Sequence, residues 1–214
     1  MIPILIICRD RLTCLKKQIN RFKEMGYTNL ILIDNHSTYQ PLLEYYNELE
    51  YEIIRFDINY GHNVLNNSGL INRFINDYYC LTDCDVIPDE SCPNDFIDYF
   101  LSTHKKYSNL DKIGFGLRCD NLPDYFIYKN EVIEWEKSFW VDKIDDCFFK
   151  APIDTTFALC RPGHTGIWTD RSLRANFPYI AEHSFWYLDS NNLPEDEKYY
   201  LNNKSKEIGH WSSK

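Results

Sequence analysis

The chain has 214 residues, 44% of them hydrophobic and 16% aromatic, with a formal net charge of −9. This composition supports a sizeable core and excludes global disorder, and an acidic surface has no general attraction for nucleic acid or anionic lipid. Any anionic ligand must be held locally, by a few arginines or lysines, by backbone N–H groups or by a metal ion.

The opening residues, MIPILIICRDR, are apolar over too short a run to span a bilayer. They also lack a basic leader and a small-residue cleavage site, so no signal peptide and no stable membrane insertion are expected. The eight cysteines then read as reduced thiols of a cytoplasmic protein. Cys80, Cys84 and Cys92 cluster without the C-x2-C spacing of a zinc site.

Residues 2–8, IPILIIC, predict a strand, and residues 11–27 a helix in which Leu12, Leu15, Ile19 and Phe22 recur at helical spacing. Gly26 supplies the helix stop. NLILID at 29–34 is a second strand, and YQPLLEYYNELE at 39–50 a second helix with Pro41 near its first turn. YEIIRF at 51–56 predicts a third strand, residues 62–77 a weaker helix, and YYCLTDCDV at 78–86 a fourth strand.

Such alternation implies βαβ crossovers, hence an α/β fold with a mostly parallel central sheet and helices on both faces. Ligands bind such sheets beyond the carboxyl ends of the strands. Each predicted strand here ends in polar residues: Arg9 to Arg11, Asp34 to Ser37, Asp57 to Asn63, and Asp83 to Asp85. Four strand ends would point at one crevice.

After Asp85 the alternation breaks. Residues 93–107 predict a helix, KIGFGLR at 112–118 a strand, and TTFALCR at 155–161 another, preceded by Asp154. Residues 125–149 are rich in Tyr, Phe and Trp with weak periodicity, and residues 194–214 read as a polar surface helix and tail. Without repeats or low-complexity linkers, residues 1–214 are expected to form one domain.

The fourth strand ends in D-x-D. Residues i and i+2 on an extended backbone face the same way, so Asp83 and Asp85 would both face the crevice. Two anions so close repel, and one takes up a proton unless a cation lies beside them. A hard divalent ion resolves the conflict and favours a substrate that brings phosphate oxygens. The alternative is a turn or helix cap preceding IPDE.

The arrangement resembles a GT-A fold glycosyltransferase of the family 2 type, with TDCDVIP as its D-x-D motif. The resemblance covers most of the chain. ICRDR sits at the first strand and nucleotide loop, LILIDNHST at the second strand with its Asp-containing base pocket, and NYGHN after the third. GFGLR is placed like a glycine-bearing donor loop, PIDTTFALCRPG where the family carries its catalytic acidic residue, and PYIAEHSFWY where a late histidine returns to the metal.

By that resemblance residues 1–88 form the nucleotide-sugar-binding half of a Rossmann-like GT-A domain, and residues 89–214 the acceptor-binding and catalytic half. Asp85 is the main metal ligand, His183 completes the protein's share, and Asp83 lies nearer the ribose. The ion is Mn2+ (or Mg2+), since an imidazole suits manganese better. Asp34 accepts from the base, Arg9, Arg11 and Asn63 contribute to the nucleotide sugar, and Asp57 is a weaker candidate. Asp154 is the general base of an inverting transfer from a nucleoside-diphosphate sugar, a UDP-sugar being favoured, to a hydroxyl acceptor such as a glycan.

Each assignment has a plainer alternative. His183 could be a core histidine, with His164 as rival ligand; Arg9 and Arg11 could be solvated or paired with Asp10. Asp154 could cap Thr155 and Thr156, with Glu182 a distant second as base. Trp135, Trp140, Phe148, Phe149 and Trp186 could form an acceptor platform or simply core. A sugar-phosphate nucleotidyltransferase is the enzyme rival, although CRDRLT lacks that class's glycine-rich loop. A non-catalytic nucleotide- or carbohydrate-binding module is the other.

Overall fold

The computed structural model of the chain describes residues 1–204; the tail expected at 205–214 lies outside the described residues. In order, β1 (Ile4–Cys8), α1 (Leu12–Glu24), β2 (Leu30–Asp34), α2 (Gln40–Tyr46) and β3 (Glu52–Arg55) open the chain. They lead to α3 (Val64–Asn67), a 3-10 turn (Leu70–Arg73) and β4 (Tyr79–Asp83). The second half adds β5 (Val86–Pro88), α4 (Phe96–Lys106), β6 (Lys112–Leu117), α5 (Lys129–Lys137) and β7 (Phe148–Lys150). It closes with β8 (Ala158–Cys160), β9 (Ser172–His183) and α6 (Glu195–Asn203).

One nine-stranded sheet runs in the order β3-β2-β1-β4-β8-β6-β9-β5, with β7 paired to β9. The expected parallel block is present: β1 pairs in parallel with β2 and β4, and β2 with β3. Beyond β4 the sheet turns mixed, because β8 enters antiparallel between β4 and β6. The long strand β9, parallel to β6 and antiparallel to β5 and β7, was not predicted. Its register against β6 shifts between Phe115 and Gly116, looping out residues 176–179, which breaks the alternation a strand would show in sequence.

Strand alternation builds two cores. Ile4, Ile6, Cys8, Leu30, Leu32 and Cys80 pack on the face carrying Leu15, Ile19 and Phe22 of α1, Leu42 of α2 and Phe96 and Phe100 of α4. Leu5, Ile31, Ile33, Tyr79 and Leu81 pack on the other face against Val64, Leu65, Ile71 and Phe74. Helices thus cover both faces, as the sequence implies. The stop of α1 works as read: Gly26 adopts φ +85°, while its N–H and that of Tyr27 bond back to Lys23 and Phe22. All eight cysteines are free.

Gly114 of β6 lies directly on β8. A Cβ there would meet the Phe157 carbonyl oxygen at 2.1 Å and Ala158 atoms at 3.0 Å. Gly114→Ala is therefore expected to destabilise by about 2–3 kcal/mol, a loss of roughly 4–12 °C in a thermal melt. A melting temperature within a degree of the wild type would remove this close approach.

Asp111, just before β6, is buried among cations. It accepts from Arg161 Nε at 2.9 Å, Arg171 Nε at 2.8 Å and the Thr169 hydroxyl at 3.1 Å. His164 Nε2 lies 3.9 Å from its carboxylate, while His164 Nδ1 accepts the Gly166 N–H at 3.0 Å. Burial, helped by Lys112, Arg161 and Arg171, outweighs Asp111 and brings His164 down to about 4. A histidine so depressed contributes stability that is present above its unfolded value and lost as pH falls toward the folded one. Burial lowers His104 likewise. His164→Asn should shrink the stability lost between pH 7 and pH 4.5 by about 1–2 kcal/mol, measured by chemical denaturation at both pH values. An undiminished acid loss would exclude His164 as its source.

Candidate active site at the carboxyl rim of the sheet

Parallel pairing brings the carboxyl ends of β1, β2 and β4 to one rim. Cys8 pairs with Asp34, and Ile7 with Asp83. After Asp83 the chain turns through Cys84 and Asp85 into β5, where Val86 pairs with His183 of β9. The Ser184 N–H also bonds the Asp85 carbonyl at 2.7 Å. Two residues 98 positions apart in sequence are thus neighbours: His183 Nε2 lies 3.5 Å from Asp85 Oδ2.

Two adjoining cavities open on this rim. The larger, about 320 Å³, is lined by Asp83, Asp85, His183, Glu136, Asp154 and Arg174, with Trp135, Trp168 and Trp186. The smaller, about 140 Å³, is lined by Ile7, Arg9, Asn35, Asn59, Gly61 and Cys84. Arg11, His62, Asp83, Asp85, Thr155 and Tyr200 line both. Asp83 and Asp85 both line the crevice, Asp83 as the last residue of β4 and Asp85 from the turn that follows it, not as i, i+2 neighbours on an extended strand.

The two carboxyls are held in opposite states. Burial and the Asp85 charge push Asp83 up to about 8, against a hydrogen bond from the Thr155 hydroxyl. Burial acts on Asp85 too, but the charges of His183 and Arg11 and a hydrogen bond from Arg11 Nη1 outweigh it and hold Asp85 below the usual range. Burial lowers His183, with Asp85 opposing. Its ring stacks on Trp186 at 4.8 Å, and its buried Nδ1 has no hydrogen-bond partner among the described residues.

Arg11 is the nearest cation. Its Nε and Nη2 donate to Glu197 Oε2 at 3.1 and 3.0 Å, and its guanidinium lies 4.6 Å from the Tyr200 ring centre. Glu197 and Tyr200 belong to α6, which was read as a surface helix. It instead docks on the rim with Asp196 and Glu197 buried. Asp196 accepts the Thr13 N–H and hydroxyl at 2.6 and 2.8 Å, covering the uncapped start of α1.

Asp154 lines the larger cavity with one oxygen engaged: Oδ1 accepts the Thr156 N–H at 3.0 Å and hydroxyl at 2.8 Å. Burial alone would raise it; the Thr156 hydrogen bonds and the charges of Arg174 and Lys112 bring it lower. Lys112 is fully buried and donates from Nζ to the Asp154 and Ile153 carbonyls at 2.6 and 3.3 Å, fixing this loop from below. Arg174 donates to the Pro152 carbonyl at 3.0 Å and to Glu136 at 3.2 Å. Burial pushes Glu136 up to about 7 despite Arg174.

The remaining candidates divide. Arg9 lines the smaller cavity, donating to the Asn203 carbonyl at 3.1 Å and lying 3.7 Å from Asp10. Asp34 does not line either cavity; its carboxylate is taken by the Ser37 N–H and by Arg55 Nε, each at 3.0 Å. Its neighbour Asn35 faces the cavity instead, bonded to Tyr60 and Gly61 of the NYGHN loop. Asn63 precedes α3 and lines neither cavity, His62 taking that place. Asp57 is exposed, Glu182 sits opposite Ile87 outside the lining, and His164 belongs to the Asp111 cluster. Of the aromatic candidates, Trp135 and Trp186 line the larger cavity. Trp140, Phe148 and Phe149 do not.

Arg174, Glu136, Trp168, Tyr200 and Glu197 were not foreseen. They lie on β9, α5, a loop and α6, where sequence periodicity was weakest. His62 was within a quoted motif but was passed over for Asn63.

Among the described residues no group of three or more His, Cys, Asp or Glu side chains is arranged to hold a metal ion, and no helix is long and apolar enough to cross a membrane. No protein-family model matches the chain, and no curated protein matches it. Among solved structures, Staphylococcus aureus TarS (residues 1–349) is similar over 75% of this chain and 47% of its own, with 10% identity and a TM-score of 0.45. Glucosyl-3-phosphoglycerate synthase from Mycobacterium tuberculosis, solved with Mn2+ and uridine-diphosphate-glucose, is similar over 75% and 56%, at 11% identity and TM-score 0.45. A mycobacterial protein is similar over 92% and 69%, at 14% identity and TM-score 0.47. The chain spans about half the length of the first two. At such identities the likeness is one of chain path, and the chemistry is argued from the site's own residues.

Proposed function

We propose that the chain is a glycosyltransferase that moves a sugar from a nucleoside-diphosphate sugar, a UDP-sugar in first place, to a hydroxyl acceptor. Residues 1–88 hold the donor and residues 89–214 the acceptor. One observation carries the reading: Asp83, Asp85, His183 and Arg11 converge at the carboxyl rim of a parallel sheet and line one cavity together with Asp154.

The donor set fits a divalent ion shared with substrate phosphates. Asp85 Oδ2 and His183 Nε2 face each other 3.5 Å apart. A carboxylate with an imidazole suits Mn2+ better than Mg2+. Asp85 and His183 would hold it, and when bound it supplies positive charge to the departing diphosphate.

The protein's own residues do the rest. Arg9, Arg11, Asn35 and His62 line the space for the nucleotide and its phosphates, and Asp83 faces the ribose side. Trp135 and Trp168, each about half exposed, offer flat apolar faces to an acceptor at the mouth of the larger cavity. The acceptor oxygen attacks the anomeric carbon as the bond from that carbon to the diphosphate oxygen breaks. Asp154 takes the acceptor's proton through the oxygen that Thr156 leaves open. Lys112 and Arg174 keep it ionised for that purpose.

The first test is a nucleotide-sugar panel scored for release of free nucleoside diphosphate, with Mn2+ and then with chelator. One donor should be hydrolysed slowly without acceptor in Mn2+ only; no metal-dependent cleavage of any donor overturns the reading. The second is Asp154→Asn, which should lower transfer by about 10²–10⁴-fold with donor affinity unchanged. An undiminished rate removes Asp154 as base.

A further inference from the structure

The Asp85 oxygen that faces His183 is already taken. His183 Nε2 lies 3.5 Å from Oδ2, and the same Oδ2 accepts the hydrogen bond from Arg11 Nη1. A cation bridging carboxylate and imidazole would need that oxygen's lone pairs and would sit against a buried guanidinium of like charge. The Arg11 side chain is only 12% exposed, so water screens the repulsion weakly.

The other edge of Arg11 is also occupied. Nε and Nη2 both donate to the single oxygen Glu197 Oε2, on the edge of the guanidinium that can also take a phosphate oxygen. Glu197 is brought there by α6, which is anchored on the first turn of α1 and on the loop before α2. Asp196 binds Thr13; the Tyr199 hydroxyl lies 3.1 Å from that of Thr38 and its ring 5.1 Å from that of Tyr39. One guanidinium therefore serves two carboxylates, one where an ion would bind and one where a phosphate would.

We propose that Arg11 is the resident cation of this site: it withholds Asp85 from a divalent ion until a diphosphate replaces Glu197 on its other edge, so that ion and nucleotide bind as a pair. The proposal rests on the diphosphate-site reading above. It makes the coupling reciprocal, the ion strengthening diphosphate binding as much as diphosphate strengthens the ion's.

The test titrates Mn2+ alone into the full chain, reading free ion by electron paramagnetic resonance. Arg11→Met should bind Mn2+ at least tenfold more tightly than the wild type; equal affinity overturns the proposal. Because that substitution leaves two buried carboxylates unpaired, Glu197→Gln serves as the independent variant. It should bind inorganic pyrophosphate in chelator at least threefold more tightly than the wild type, and unchanged or weaker binding counts against the proposal. The Mn2+ titration uses no donor, so the two readings fail separately. An active transferase whose Arg11→Met variant gains no Mn2+ affinity sinks this proposal alone, and a silent donor panel sinks the transferase.

Discussion

Burying Asp85 at the rim of the sheet removes a carboxylate from water, and only positive charge close by can offset that cost. The surrounding structure follows from this constraint. Burial and the Asp85 charge raise Asp83, two residues back at the end of β4, against a hydrogen bond donated by the Thr155 hydroxyl. Arg11 comes from the loop after β1 because the parallel pairing of β1 with β4 sets that loop beside the D-x-D turn. His183 arrives through the pairing of β5 with β9. Two neighbouring carboxyls are thus shifted in opposite directions, the pattern by which sites assign different tasks to similar residues.

An acidic chain then supplies its own restraint on that cation. Glu197 and Asp196 are adjacent on α6 and point to different loops, one to Arg11 and one to the start of α1. The helix is polar by composition, yet its Asp196 and Glu197 are buried, because these carboxylates meet a guanidinium and unsatisfied backbone N–H groups. Of the residues involved, Arg11 lines both cavities, as does Tyr200 of the same helix. The helix is part of the site.

The larger cavity shows the same logic around Asp154. Lys112 holds the loop carbonyls from beneath, Thr156 fixes one carboxylate oxygen, and Arg174 supplies charge from β9 while bonded to Glu136. The Arg174 guanidinium lies 3.8 Å from the Phe139 ring centre, which holds it in place on its apolar side. The capping role that seemed an alternative for Asp154 turns out to coexist with cavity exposure. One oxygen caps, and the side chain still lines the space.

What could be read along the chain was whatever rests on local periodicity. Leu15, Ile19 and Phe22 announced α1, Gly26 its end, and the short apolar runs of β1, β2 and β4 a parallel block whose polar ends meet. The expectation that Asp83 and Asp85 meet one crevice holds, but through a turn after β4 rather than through the pleat of a strand. Other features depend on contacts between distant segments and leave no such periodic trace. A strand looped out at residues 176–179 does not alternate, and the polar α6 does not declare what its acids will meet. That Asp34 turns to Arg55 while Asn35 faces the cavity is decided by which neighbour β3 brings within reach. Composition and pattern could say that carboxylates gather at a rim, since strand direction alone requires it. Which cation answers them was settled by folding, because the Arg11 to Asp85 and Glu197 contacts exist only once β1, β4 and α6 are packed together.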